Sequence, residues 1–114
     1  LAPLKHPETI READWQRIVI QLAEAYGWAW THTPKAQMGG RWMTPSAKGL
    51  PDLMLVKHKV VFLELKTVKG KPSPEQKVWL KRLQAVGGTV EAYLVNPLQA
   101  RHLVKLLAEQ PAAR

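Results

Sequence analysis

The chain has 114 residues and no Cys, and 17 Lys and Arg against nine Asp and Glu give it a formal charge of +8. That length indicates one domain, residues 1–114, around one core, and a hydrophobic fraction of 46% with five Trp excludes a disordered chain. Disulfides and thiolate zinc sites are excluded, His6, His32, His58 and His102 lack ligand spacing, and no apolar run is long enough for a membrane span, so cytosolic residence is the expectation.

The basic excess favours a polyanionic partner. No strongly basic amphipathic helix stands out for a membrane surface, which leaves nucleic acid.

In chain order, residues 1–7 read as an irregular arm with two Pro. From about Glu8 to Tyr26 the residues Trp15, Ile18, Val19, Leu22, Ala23 and Tyr26 recur at helical spacing, and Gly27 supplies a stop. At 100° per residue, Glu12 and Gln16 project onto or beside that stripe. A carboxylate facing a core is costly unless paired or bound to a metal, which singles out Glu12. Glu8 falls in the first turn, where the helix dipole favours an acid.

Trp28 to Thr33 reads as a short strand with Trp28, Trp30 and His32 on one face. Such aromatics stack on bases in some proteins, but packing against a helix is the reading here, and His32 is read as structural. Pro34 to Leu50 is the longest irregular segment, with turn signals at Gly39-Gly40 and Gly49. It carries Lys35, Arg41 and Lys48, and no Asp or Glu occurs between Ala25 and Pro51. That is a phosphate-contacting loop directly before Asp52, or a solvated flexible loop.

Pro51 to Lys66, PDLMLVKHKVVFLELK, organises the chain. Pro51–Val56 and Val60–Lys66 read as two strands around Lys57-His58-Lys59. Glu64 and Lys66 share a face by alternation. A loop of only His58 and Lys59 would put Asp52 opposite Leu65, on the other face. A loop of Lys57 to Lys59 pairs Val56 with Val60 and brings Asp52 opposite Glu64, although no Gly is present for a left-handed position. In that register both faces are apolar, as in a central sheet covered by helices. Two carboxylates at one strand end repel unless a cation lies between them, and a hard divalent ion suits oxygen ligands of this kind.

Thr67 to Lys71 is basic and hinge-like. Ser73 then reads as N-cap, Pro74 as N1 and Gln76 as N3 of a helix running to about Val86, with Trp79, Leu80, Leu83 and Val86 inward. Gln76 has two readings: a capping-box partner, or a site amide that binds water or phosphate. Lys77, Lys81 and Arg82 read as a solvated face. Gly87-Gly88 ends the helix, Thr89–Val95 forms a strand, and Asn96-Pro97 caps a last helix with Ala100, Leu103, Val104 and Leu107 inward. The tail from Gln110 is frayed in this reading.

The ordered set of Glu12, Pro51-Asp52, Glu64-Leu65-Lys66 and Gln76 resembles the PD-(D/E)XK nucleases, specifically their VRR-NUC branch. Glu12-Ala13-Asp14-Trp15-Gln16 and Tyr26-Gly27-Trp28 are similar to that family's first helix and its exit, and Gly70 to Gln76 to its segment after the ExK motif. The resemblance implies an α/β, restriction-endonuclease-like αβββαβ core, a central mixed sheet flanked by helices with an extra C-terminal helix. It implies a metal-dependent DNA endonuclease, with Glu12, Asp52, Glu64, Lys66 and Gln76 catalytic. Asp52, Glu64, the Leu65 backbone carbonyl and Glu12 would hold Mg2+, with Mn2+ able to substitute. Lys35, Arg41, Lys48, Lys69 and Lys71 are the expected nucleic-acid contacts. Kinship further implies a homodimer acting on branched DNA such as Holliday junctions, in the cytoplasm of a bacterium or a phage-infected host. A nuclease on plain strands and a non-catalytic binding module are the alternatives.

Overall fold

Alternating apolar residues from Leu53 onward fold back on themselves as an antiparallel hairpin in the computed structural model, which describes residues 4–33, 37–38, 41–42 and 48–111. The strands are β1 (Ala29–His32), β2 (Gln37–Met38), β3 (Arg41–Trp42), β4 (Leu53–Val56), β5 (Val60–Leu65) and β6 (Val90–Val95), and the helices α1 (Glu12–Ala25), α2 (Pro74–Val86) and α3 (Ala100–Ala108). The main sheet has the order β1-β4-β5-β6. Its first two pairings are antiparallel, while β5 and β6 run parallel. A parallel neighbour needs a crossover, and α2 supplies it. The result is an α/β fold with a mixed sheet.

Val56 opposes Val60 and Leu53 opposes Leu63, so the loop formed is Lys57 to Lys59. The same register continued one step brings Asp52 opposite Glu64. No left-handed residue is needed in this loop: among the described residues positive φ occurs at His6 and at Gly27, Gly49, Gly87 and Gly88.

Side-chain alternation then sorts the hairpin into two faces. Leu53, Leu55, Val61, Leu63 and Leu65 are fully buried and form the core with Trp15, Val19 and Ala23 of α1 and Ala100, Leu103 and Leu107 of α3. Two buried indoles tie this layer together. Trp15 Nε1 donates to the Val95 carbonyl (3.2 Å) and Trp28 Nε1 to the Leu107 carbonyl (2.9 Å). The opposite face is covered more thinly. Met54 and Phe62 are half-buried and Val56 is exposed, while α2 packs against β6 and buries Leu80.

Four local expectations are corrected. The first helix does not start near Glu8: Pro7–Thr9 forms a 3-10 turn, Ile10 and Arg11 are extended, and α1 begins at Glu12. Half-buried Ile10 packs on the core, and turning it inward interrupts the helical path. Val86 is 65% exposed rather than inward, because it is the last residue of α2 and the chain turns away at Gly87. Within the segment expected to be irregular, β2 and β3 pair as an antiparallel ribbon. Asn96 first caps a 3-10 turn, Pro97–Gln99, which leads into α3. Among the described residues no helix is long and apolar enough to cross a membrane.

Candidate active site

β4 ends its pairing where the sequence places Pro51, which has no N–H to offer the next rung. Odd-numbered residues of β5 point their backbone polar groups toward β4, and even-numbered ones toward β6, as the bonds from Val60 N–H to Thr89 O and from Lys66 N–H to Val95 O indicate. Leu65 N–H therefore needs a partner on the β4 side, and Asp52 Oδ2 accepts it at 2.9 Å. Asp52 is anchored from behind as well. Thr33 N–H donates to its carbonyl (3.0 Å), and the buried Thr33 hydroxyl donates to the Pro51 carbonyl.

Glu64 is 1% exposed. Its Oε2 accepts from Gln76 Nε2 at 3.0 Å and lies 3.4 Å from Lys66 Nζ, whereas its Oε1 is buried with no hydrogen-bond partner. Burial and then the neighbouring Asp52 carboxyl push the Glu64 pKa up to about 7, against the opposing pull of Lys66. A buried carboxyl in this position requires either a proton or a second cation.

Gln76 is held at its other end by the start of α2. Its Oε1 accepts from Ser73 N–H (2.8 Å), while Ser73 Oγ accepts from Gln76 N–H (3.2 Å). The capping box and the contact with Glu64 are thus made by opposite ends of one amide, so the capping-box reading of Gln76 is realised and its other end meets a carboxylate. The box fixes which end faces Glu64: the NH2 group, a donor.

Gly49, read from the sequence only as a turn signal, has a further part. Its φ is +89°, and an added Cβ would lie 2.5 Å from the backbone carbonyl carbon of Glu75. The loop before β4 can touch the first turn of α2 only because this position has no side chain. Lys48 beside it pairs with Glu75 at 3.6 Å.

The remaining candidates are spread more widely. Glu12 is exposed at the start of α1, not turned onto the apolar stripe. Trp15, one turn on, shares the Val95 carbonyl with Lys66 N–H, which puts Glu12 at the same end of the sheet. Among the described residues no three His, Asp or Glu side chains gather as a metal cluster, so Glu12 does not join Asp52 and Glu64. Lys69 and Lys71 are exposed on the turn after Lys66. Lys35 and the side chain of Arg41 lie outside the described residues. His32 pairs with Leu53 across the sheet, which assigns it to the face opposite Asp52 and Glu64, and its ring stands edge-on to Trp30 at 5.3 Å.

The donor set suits a hard divalent cation. Two carboxylates, one with an orphaned buried oxygen, meet beside a strand-end carbonyl, and Mg2+ is commonly held by one or two carboxylates with waters and substrate phosphate completing its shell. In a strand the N–H and C=O of one residue point the same way, so the Leu65 carbonyl shares the Asp52 side of β5 with its N–H.

The mixed four-stranded sheet with its helices is a restriction-endonuclease-like α/β fold. A solved structure described as a VRR_NUC domain superposes with a TM-score of 0.60 over 82% of this chain and 94% of that one, at 24% sequence identity. That likeness establishes the fold. No family model and no curated protein matches the sequence.

Proposed function

We propose that the protein is a metal-dependent nuclease that hydrolyses phosphodiester bonds in DNA. One observation carries this reading: Glu64 is buried with one oxygen unpartnered beside Asp52, while its other oxygen is held by Lys66 and Gln76. The likeness to a VRR_NUC domain supports it.

Asp52, Glu64 and the Leu65 carbonyl would hold Mg2+ or Mn2+, with Glu12 reaching the site through water. When bound, the cation would stabilise charge on the scissile phosphate and lower the pKa of the attacking water. The chain's own residues do the rest. Leu65 N–H fixes the rotamer of Asp52. Gln76 holds Glu64 Oε2, which leaves Oε1 as the oxygen to be satisfied. Lys66 offsets the paired carboxylates and orients a water toward the phosphate. Lys35, Arg41, Lys48, Lys69 and Lys71 would contact the DNA backbone. The resemblance of the ordered motif set extends the reading to a cytoplasmic homodimer acting on branched DNA, where a twofold protein would meet a twofold junction.

The test is cleavage of end-labelled four-way junction, linear duplex and single strand in Mg2+, Mn2+ and EDTA, by wild type and Lys66→Ala. Metal-dependent paired cuts confined to the junction and lost in the variant are expected. Equal cutting of all three substrates would remove the branch preference and keep the chemistry. Binding without cutting by both proteins would leave a non-catalytic module. Mass measurement in solution decides the dimer.

A further inference from the structure

We infer that the solvent face of α2 is a duplex-binding surface, on which Lys77, Lys81 and Arg82 hold the phosphate backbone of the DNA arm that leaves the site. This rests on nucleic acid being the partner in the reading above.

The sequence reading leaves these three side chains as a solvated face, but their setting differs from that of the paired cations Arg11, Arg17 and Lys59. Arg11 and Arg17 are both paired with Asp14, and Lys59 with Glu91 and Glu109. Lys77, Lys81 and Arg82 are exposed, and among the described residues none has a carboxylate partner. The only acid between Thr67 and Val90 is Glu75, and it is paired with Lys48. Three cations without a carboxylate partner therefore lie on this one helix, and exposed Lys69 and Lys71 lie on the segment leading into it.

Position makes the charge useful. Buried Leu80 and half-buried Gln76, Trp79 and Leu83 together mark the inner side of α2. At 100° per residue, Lys77 and Lys81 lie on one flank of the outer face and Arg82 on the other. The helix has 13 residues, about 20 Å, which is the rise of about six base pairs. Its first turn holds Gln76 against Glu64, so a duplex lying along α2 meets the site at its end. α1 and α3 pack on the opposite face of the sheet, which makes the exposed cations of α3 a matched control.

The test is duplex affinity against salt in EDTA for the full chain, comparing wild type, Lys77→Ala/Lys81→Ala/Arg82→Ala, the charge-keeping Lys77→Arg/Lys81→Arg/Arg82→Lys, and Arg101→Ala/Lys105→Ala on α3. Three lost phosphate contacts lower the salt slope by about 2.7, so the affinity lost between about 50 and 200 mM salt shrinks about 40-fold relative to wild type. The charge-keeping variant retains the wild-type slope, and the α3 variant changes it little. A slope unchanged in the triple alanine variant, or lowered to the same degree in the α3 variant, overturns the inference. So does an equal loss of affinity for poly-glutamate of matched charge, which would mark a general polyanion surface. Because binding is read without metal, the outcome is separate from the nuclease reading: an inactive wild type with the expected slopes keeps the surface, and active enzyme with unchanged slopes removes it.

Discussion

Strand β5 ends in a lysine and two carboxylates at both extremities, and the two clusters behave in opposite ways. At its start, Lys59 Nζ contacts Glu91 (2.9 Å) and Glu109 (2.8 Å) directly, and Glu91 also accepts from the Tyr93 hydroxyl. Here the lysine is the buried member, and the carboxylates retain contact with water. Burial works against the Glu91 carboxylate, yet the hydrogen bonds from Lys59 and Tyr93 outweigh it and hold its pKa below the ordinary value. At the other end the buried member is a carboxyl, Glu64, and Lys66 reaches it only at 3.4 Å. There burial wins, and the pKa rises to about 7. The same residue types make a closed ion cluster in one place and an open one in the other, according to which charge is taken out of water and how directly it is met.

The largest effects should come from breaking the open cluster. Asp52→Asn, Glu64→Gln and Lys66→Ala are each expected to lower the cleavage rate about 10^3-fold, roughly 4 kcal/mol of transition-state stabilisation, and Lys66→Glu at least as much. Lys59→Met should change that rate less than about twofold on the electrostatic view; a loss comparable to that of Lys66→Ala in single-turnover kinetics would erase the distinction.

Stability should respond in the reverse sense. Lys59→Met leaves two carboxylates facing each other and is expected to cost about 1–2 kcal/mol in urea unfolding, discounted for the partly exposed acids. Glu64→Gln removes a buried charge and should leave the metal-free protein as stable or more stable at pH 8.

The pH dependence sharpens the same contrast. The Glu64 pKa is raised from 4.5 to about 7 on folding, so the folded state holds this proton more tightly than the unfolded state. Its contribution to stability is fully present below about pH 4.5 and is lost as pH rises through about 7. In EDTA the Tm should therefore fall across that window in wild type and not in Glu64→Gln. Added Mg2+ should raise the Tm at pH 8 and leave it nearly unchanged at pH 5; the opposite order would show that the carboxylates are not the ligands.

The supports should change stability and rate together. Gly49→Ala combines a positive φ with a backbone clash and is expected to cost about 1–3 kcal/mol, and Ser73→Ala about 1 kcal/mol as a lost cap. Both should also lower the cleavage rate, by way of the contact between α2 and Glu64. Calorimetry beside steady-state rates checks the pairing of the two losses.

The fold was largely legible because its signals are periodic. The alternation in Leu53–Leu65 and the helical stripe from Trp15 to Tyr26 each assign a buried face, and the three-residue turn followed from asking Asp52 to face Glu64. The pairing of Lys59 was not legible, since Glu91 and Glu109 lie 32 and 50 residues away and no local pattern links them. Nor was the interruption at Ile10, where tertiary packing of one side chain overrides helical periodicity. Gln76 was half legible. Its spacing from Ser73 announces the capping box, and Asn96 to Gln99 repeats that box, so the spacing alone does not say which amide has a carboxylate at its free end.

The Gln76 amide also links helix nucleation to the acid it holds. Of the residues of α2 only Leu80 is buried, so this helix is the least anchored of the three and the natural first unit to open. When its first turn frays, Glu64 loses its donor while the sheet and the other helices remain in place. Heating should therefore lower the proposed cleavage rate before the fold melts, with hydrogen exchange at the α2 amides quickening at temperatures where the β5 amides are still protected.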